Sequence, residues 1–383
     1  MNRRTRTALA TSLVLAFAAG PLAAPAFAAP APGDTRPAGA VTEPAHGPDR
    51  AALAKALEGL PDSVATSAVV RVGGKGSWRG SAGVRDLRTG AKVLENARFR
   101  AGSTTKVVTA ALVLKLAAEG RVDLDGTVQQ YLPGLLSDAF EPVTVRQLLN
   151  YTSGLQGGRT LGDTVDEEYP HRFETLPPEE VVATAVAKGP LHAPGKEQHY
   201  GNIHYLVLAM LVEKVTGDSY AHQAQARIFK PLGMRDTSFP AGPDPRIHGP
   251  HNRGYEDMEG RIVDVTEWNM SDRKGAGDMI STVADMERLL VGLFRGRVVP
   301  EPQLKEMFTF PDVPGARYGA GLEMFEVNGR EVWGKTGARP GYHTVLAATR
   351  DLSRTLVYSV TATDAKGGGL SLAQRFAFPA FNR

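Results

Sequence analysis

The sequence predicts its most apolar helix in residues 99–120, FRAGSTTKVVTAALVLKLAAEG. Val107, Val108, Ala111, Leu112, Leu114 and Leu116 leave no polar side for water, so this helix must be buried inside a large domain rather than laid on its surface. Gly102 frees the turn in front of it, and Ser103 is a favourable residue at a helix start. Ser103, Thr104, Thr105 and Lys106 spell Ser-x-x-Lys. At that spacing hydroxyl and ammonium share one face, with Cβ atoms about 5–6 Å apart. A buried lysine sheds its charge readily enough to act as a base, which makes Ser103 a candidate nucleophile. The same pattern recurs at Ser271-Asp272-Arg273-Lys274, but there it runs into Gly275-Ala276-Gly277 and opens no apolar helix. That second copy reads as a chance match, of which a chain this long should hold about one.

Residues 1–28 have the three parts of an export signal: Arg3, Arg4 and Arg6, an apolar run over 8–20, and Ala26-Phe27-Ala28 as a small-residue cleavage site. The run is too short to span a bilayer, so a secreted chain is expected, cleaved after Ala28. The formal net charge of +3 comes from 44 basic and 41 acidic residues. Loss of the signal arginines makes the mature chain formally neutral. No basic run suited to nucleic acid or an anionic membrane remains. There is no cysteine, which excludes disulfides and thiolate metal sites, so stability must come from a large core.

Residues 29–47 are rich in Pro, Ala and Gly without periodicity and read as a disordered linker. The domain then occupies 48–383. A first amphipathic helix over 49–60 precedes short β-rich runs broken by glycine turns. Residues 122–271 read as helical and loop-rich. From Gly277 a helix near 282–294 leads to strand-like runs at 319–327, 331–334, 342–349 and 355–361, with a terminal helix from about Gly369. This order predicts an α+β fold: an antiparallel sheet built from both ends of the chain (48–121 and 272–383), flanked by N- and C-terminal helices, with 122–271 inserted as a mostly helical lobe.

Two further constellations carry chemistry. Tyr200-Gly201-Asn202 ends a loop in front of an apolar helix. A cation beside Tyr200 would lower its pKa, so that as phenolate it could take the Ser103 proton and later return it. Asn202 would offer its amide to a substrate carbonyl, although Tyr200 as a half-buried aromatic and Asn202 as a helix cap is the plainer reading of those residues alone. Lys335-Thr336-Gly337 lies in a strand-like run before Arg339-Pro340-Gly341. There glycine would let a substrate backbone approach an edge strand, while Lys335 and Thr336 present a charge and a hydroxyl to an anionic group. His199 and His343 flank these segments as supporting or surface residues. His248 and His251 sit in a Gly/Pro-rich loop, and neither a metal nor a cofactor is implied.

In order and spacing, Ser103-x-x-Lys106, Tyr200-x-Asn202 and Lys335-Thr336-Gly337 resemble the signatures of the penicillin-recognising serine hydrolases of the β-lactamase/transpeptidase type. FRAGSTTK, LDGTVQQYLPG, VTVRQLLNYTSGL, HAPGKEQHYGN and GKTGARPGYHT look like family segments, most like the class C and D-alanyl-D-alanine carboxypeptidase subgroup. The resemblance implies an acyl-enzyme at Ser103, Lys106 and Tyr200 sharing the base role, and an oxyanion hole from the Ser103 and Ala338 N–H groups. It implies that Asn202 holds the acyl amide and that Lys335, Thr336 and Gly337 bind the leaving side. A monomeric, secreted D-alanyl-D-alanine carboxypeptidase acting on cell-wall peptides, with β-lactams as covalent inhibitors, is the leading expectation. An esterase or D-amino-acid amidase is the alternative, and an inactive wall- or partner-binding member is the reading from another class. Glu323 falls near where such carboxypeptidases can place an arginine for the substrate carboxylate, which an acid would repel. Tyr151 replaces a common histidine and reads as structural.

Overall fold

The computed structural model describes residues 47–240 and 242–382. The expected signal peptide, and the linker apart from Gly47, lie outside the described residues. The strands β1 (Ala65–Gly74), β2 (Trp78–Asp86) and β3 (Ala91–Lys92) come from the N-terminal part of the chain. β4 (Glu323–Val327), β5 (Arg330–Arg339), β6 (Tyr342–Ala348) and β7 (Arg354–Ala362) come from its C-terminal part. They form one seven-stranded sheet in the order β3-β2-β1-β7-β6-β5-β4, every neighbouring pair antiparallel. The closing contact sets the first long strand on the last, with Val70 opposite Tyr358.

Both faces of this sheet are covered, so β1, β6 and β7 are buried along nearly their whole length. Successive side chains go to opposite sides. Val70, Val72, Val345, Ala347, Leu356 and Tyr358 meet Leu53 and Leu57 near α1 (Arg50–Lys55) and Leu372 and Phe376 of the C-terminal helix. Val69, Leu346 and Val357 face the other way, into the core that contains α2 (Thr105–Ala118), α3 (Asn202–Thr216) and α4 (Val283–Phe294). The C-terminal helix, α5 (Gly369–Ala380), follows β7. As its all-round apolar pattern demanded, α2 is enclosed, and Leu112 has no exposed surface. Truncating such a residue to alanine costs about 2–5 kcal/mol.

Three details differ from the sequence reading. α1 is a short helix of 6 residues capped by Asp49, because Gly59 adopts φ 80° and Pro61 follows. β5 is one continuous strand from Arg330 to Arg339, joining the run read over 331–334 to the strand-like Lys335-Thr336-Gly337 segment. The stretch read as helical also holds a hairpin, Tyr255–Met258 paired with Arg261–Asp264, turning at Glu259 and Gly260, both at positive φ.

Candidate active site

Ser103 lies in a 3-10 turn, Gly102–Thr104, and Thr104 rather than Ser103 occupies the cap position of α2, with no side-chain capping bond. The two threonines bind back into the turn instead, Thr104 Oγ1 to the Ala101 carbonyl and Thr105 Oγ1 to the Gly102 carbonyl, both at 2.7 Å. The serine hydroxyl is thereby spared from a structural duty. Two glycines let the turn press against β5. Gly102 has φ 55°, and a Cβ there would stand 2.7 Å from the Ala338 nitrogen. A Cβ on Gly337 would stand 2.2 Å from the Ala101 oxygen and 3.1 Å from the Ser103 nitrogen. Any side chain at either position would push Ser103 off the strand.

Lys106 is fully buried. Its ammonium donates to Ser103 Oγ at 3.1 Å, Asn202 Oδ1 at 2.7 Å and the Ala276 carbonyl at 2.8 Å. Burial lowers its pKa to about 8; Tyr200 opposes that shift and Lys335 adds to it. Asn202 is not the helix cap, since Gly201 takes that position. Its amide oxygen is held by the lysine, so the amide nitrogen is left for a substrate carbonyl.

The Tyr200 ring sits between two cations, with Lys106 Nζ 5.0 Å and Lys335 Nζ 4.8 Å from its centroid. Burial works to raise the phenol, but Lys106 and then Lys335 overcome it, with hydrogen bonding from Ser103 and Lys106, and bring the pKa down to about 8. Behind the ring stand Tyr151 at 4.9 Å and Tyr318 at 5.3 Å between centroids.

Beyond Gly334 the partner strand β4 ends, so residues 335–339 form a free edge. A two-residue turn joins Arg339 to Tyr342. Antiparallel pairs alternate between bonded and non-bonded, so Ala338 directs its N–H away from β6 and toward the Ser103 turn. The Ser103 and Ala338 nitrogens both border the close contact between this turn and the strand, the one near the Cβ position of Gly337 and the other near that of Gly102.

Thr336 departs from expectation. It pairs with Val345, and directly opposed residues share a face. Its side chain therefore lies on the α5 side of the sheet, with Phe325, Val345 and Ala377 around the same apolar cavity. Lys335 and Thr336 do not present charge and hydroxyl on one face, because a strand puts consecutive residues on opposite sides. His343 is also on the α5 side: it is buried, bonded to Tyr358 Oη at 2.9 Å, and lowered by burial and then Lys335 to about 4. His199 is exposed. His248 bonds Asp244 at 2.7 Å and His251 the Gly249 carbonyl at 2.8 Å. Among the described residues no group of three or more acidic or histidine side chains could hold a metal ion.

Glu323 is buried, 3.7 Å from Arg317. Burial raises its pKa, while Lys335 and then Arg317 hold it down. Three supporting groups have no signal in the sequence. The Ala276 carbonyl is a backbone group. Tyr318 lies in an irregular segment. Gln198 donates to the Asn150 and Tyr318 carbonyls at 2.9 and 2.8 Å and accepts from the Arg317 N–H at 2.8 Å, fastening the wall behind Tyr200.

A serine beside a buried lysine and a phenol lowered by two cations, set against the free edge of an antiparallel sheet, can carry out acyl transfer. The chain belongs to the beta-lactamase family, whose model matches residues 53–375, and it has the β-lactamase fold of those serine hydrolases. A D-stereospecific amidohydrolase from Streptomyces sp. superposes with a TM-score of 0.74 at 33% identity, covering 85% of this chain and 98% of that one. D-amino acid amidase from Ochrobactrum anthropi SV3, complexed with L-phenylalanine amide, gives 0.69 at 25% identity over 85% of this chain and 96% of that one. Esterase EstB from Burkholderia gladioli is 31% identical over 245 residues, 60% of this chain and 62% of that protein. Protein flp of Staphylococcus aureus (strain MRSA252) is 31% identical over 206 residues, 52% of this chain. The match spans 39% of the flp protein's length. Among the described residues no helix is long and apolar enough to cross a membrane.

Proposed function

We propose that this chain is an amidohydrolase that forms an acyl-enzyme at Ser103 on amides of D-amino acids. The observation that carries the chemistry is the 3.1 Å contact of the Lys106 ammonium with Ser103 Oγ inside a buried cage, with Tyr200 against both. Ser103 Oγ attacks the amide carbonyl, and its proton passes to the Lys106/Tyr200 pair, which titrates as a unit. The carbonyl oxygen takes the negative charge between the Ser103 and Ala338 N–H groups. Tyr200 returns the proton to the departing amine, and water then releases the D-amino acid by the same steps. The likeness to the Streptomyces amidohydrolase over nearly the whole of that chain supports D-amides over esters.

Hydrolysis of a terminal D-alanyl-D-alanine bond in wall peptides is the second reading, favoured by the Lys335 ammonium on the leaving side and disfavoured by Glu323 beside it. Export through residues 1–28 and covalent inhibition by penicillin belong to the same proposal. The experiment is a panel of D-alaninamide, L-alaninamide, a D-alanyl-D-alanine peptide and a short-chain ester, with the Ser103 adduct followed by mass spectrometry. The D-amide should turn over at least tenfold faster than the L-amide, and the adduct should vanish in Ser103→Ala. An L-amide cleaved as fast, or an adduct that survives Ser103→Ala, overturns the reading. Faster release of D-alanine from the peptide selects the second reading.

A further inference from the structure

Two arginines are buried near the Ser103 turn, and their surroundings differ. Arg100, 1% exposed, sends Nε and Nη2 to the carbonyl oxygens of Thr266 and Pro245, so that edge of its guanidinium is closed by backbone. Arg339, 4% exposed, has Nε and Nη2 enclosed with no acceptor on either. Those two nitrogens form the edge of a guanidinium that meets both oxygens of a carboxylate in a bidentate pair.

The acids around Arg339 are engaged elsewhere. Asp272 lies 2.7 Å and Glu168 3.7 Å from Arg273. Glu256 accepts the Gly341 N–H at 2.8 Å, and burial pushes its carboxyl up to about 8, so it carries little charge at neutral pH. A second cation belongs to the same neighbourhood: burial lowers the Lys366 ammonium, Glu168 opposes that shift, and Arg339 and then Arg273 add to it. With Arg273 neutralised by its own acids, Arg339 and Lys366 remain as unmatched positive charge.

Position along β5 says what that charge faces. Lys335, Gly337 and Arg339 share one face of the strand by alternation, and Gly337 touches the Ser103 turn. Ala338, with its N–H toward the nucleophile, separates Lys335 from Arg339. The two cations therefore bracket the carbonyl that Ser103 would attack, and Trp268 flanks the far one, its ring centroid 6.0 Å from the guanidinium carbon.

We propose that Arg339, capped by Lys366, is an anion subsite that receives a carboxylate on the acyl portion of the substrate, across the scissile carbonyl from Lys335. The assignment to the acyl side rests on the reading of Ser103 as the acyl-accepting nucleophile with its leaving group toward Lys335. A single planar carboxylate suits one guanidinium edge, whereas Asp272 and Glu168 close by disfavour a doubly charged phosphate. The preferred acyl group is then an acidic D-amino acid of the D-glutamyl or D-aspartyl type.

The experiment has a kinetic arm and a binding arm. In the first, kcat/KM is compared for the α-p-nitroanilides of D-glutamate and D-glutamine. The wild type should favour the acidic substrate at least tenfold. Arg339→Gln should cut that ratio about tenfold, Arg339→Lys less, since a point charge lacks the fork, and Lys366→Met by a few-fold. A wild-type ratio near one, or a ratio that Arg339→Gln leaves in place, overturns the subsite. The second arm needs no catalysis. In Ser103→Ala, N-acetyl-D-glutamate should raise the melting temperature and change tryptophan fluorescence more than N-acetyl-D-glutamine does, and Arg339→Gln should erase the difference. Equal responses to both ligands overturn the subsite. Loss of turnover on every anilide with the binding difference intact rejects the amidohydrolase reading and keeps the anion site.

Discussion

The chain holds two copies of one four-residue pattern, and only one of them sits where it can do chemistry. Ser103-x-x-Lys106 opens a helix with no exposed face, and its lysine has a serine, an amide oxygen and a carbonyl for neighbours. Ser271-x-x-Lys274 forms a 3-10 turn followed by glycines. There Lys274 reaches outward to Glu213 at 2.7 Å, with both side chains about a third exposed, at 31% and 29%. Ser271 Oγ accepts the Leu176 N–H at 2.9 Å. Desolvation lowers Lys106, while Lys274 keeps water and a countercharge. Spacing alone therefore does not activate a serine; a dry wall and uncharged acceptors must accompany it.

The contrast breaks most visibly at the serines. Ser103→Ala should lower kcat/KM by at least about a thousandfold, since no neighbouring group replaces the nucleophile. If activity survives, the site lies elsewhere. Next come the lysines. Lys106→Ala removes the charge that holds down Tyr200 and should cost about 10²- to 10⁴-fold, read as initial rates on the preferred amide. Lys274→Ala should stay within about twofold by the same assay, because its partner is a surface acid.

A third variant acts on pH. Lys106 and Tyr200 both sit near 8, and the pair must give up a proton before it can take one from Ser103. The acidic limb of the kcat/KM profile should therefore fall away below about pH 8. Lys335 holds both groups down, so Lys335→Met should move that limb to higher pH whichever partner is the base. A limb that stays in place would mean that Lys335 acts on substrate alone.

Much of this was legible in the sequence because it depends on periodicity. The apolar runs around Val70, Leu346 and Val357, the closed face of α2 and the order of the three motifs survive intact. What was missed depends on the third dimension. Thr336 reads as a partner of Lys335 even within a strand-like run, but alternation along that strand sends it to the other face. The hairpin at Glu259-Gly260 carries a readable turn signal, but the helical, loop-rich pattern around it masks the two short strands. Tyr151 and Tyr318 converge behind Tyr200 through Gln198, a polar staple that no local pattern announces. The Ala276 oxygen cannot be inferred from a side chain at all.

That oxygen gives the comparison its smallest and sharpest test, because the solvated copy of the motif leads into the backbone that meets the buried one. The turn Ser271–Arg273 feeds directly into Gly275-Ala276-Gly277, whose middle carbonyl takes a Lys106 proton. Ser271 secures the front of that turn to Leu176 by one hydrogen bond. Ser271→Ala should therefore cost about 0.5–1.5 kcal/mol in denaturant unfolding and lower kcat/KM by less than about threefold, since the Asn202 and Ser103 contacts to Lys106 remain. Lys274→Met removes a pair that is about a third exposed and worth about 0–1 kcal/mol, and it leaves the backbone in place. If Ser271→Ala moves the acidic limb while Lys274→Met does not, the turn acts through the Ala276 carbonyl. If neither moves it, the second copy contributes only stability.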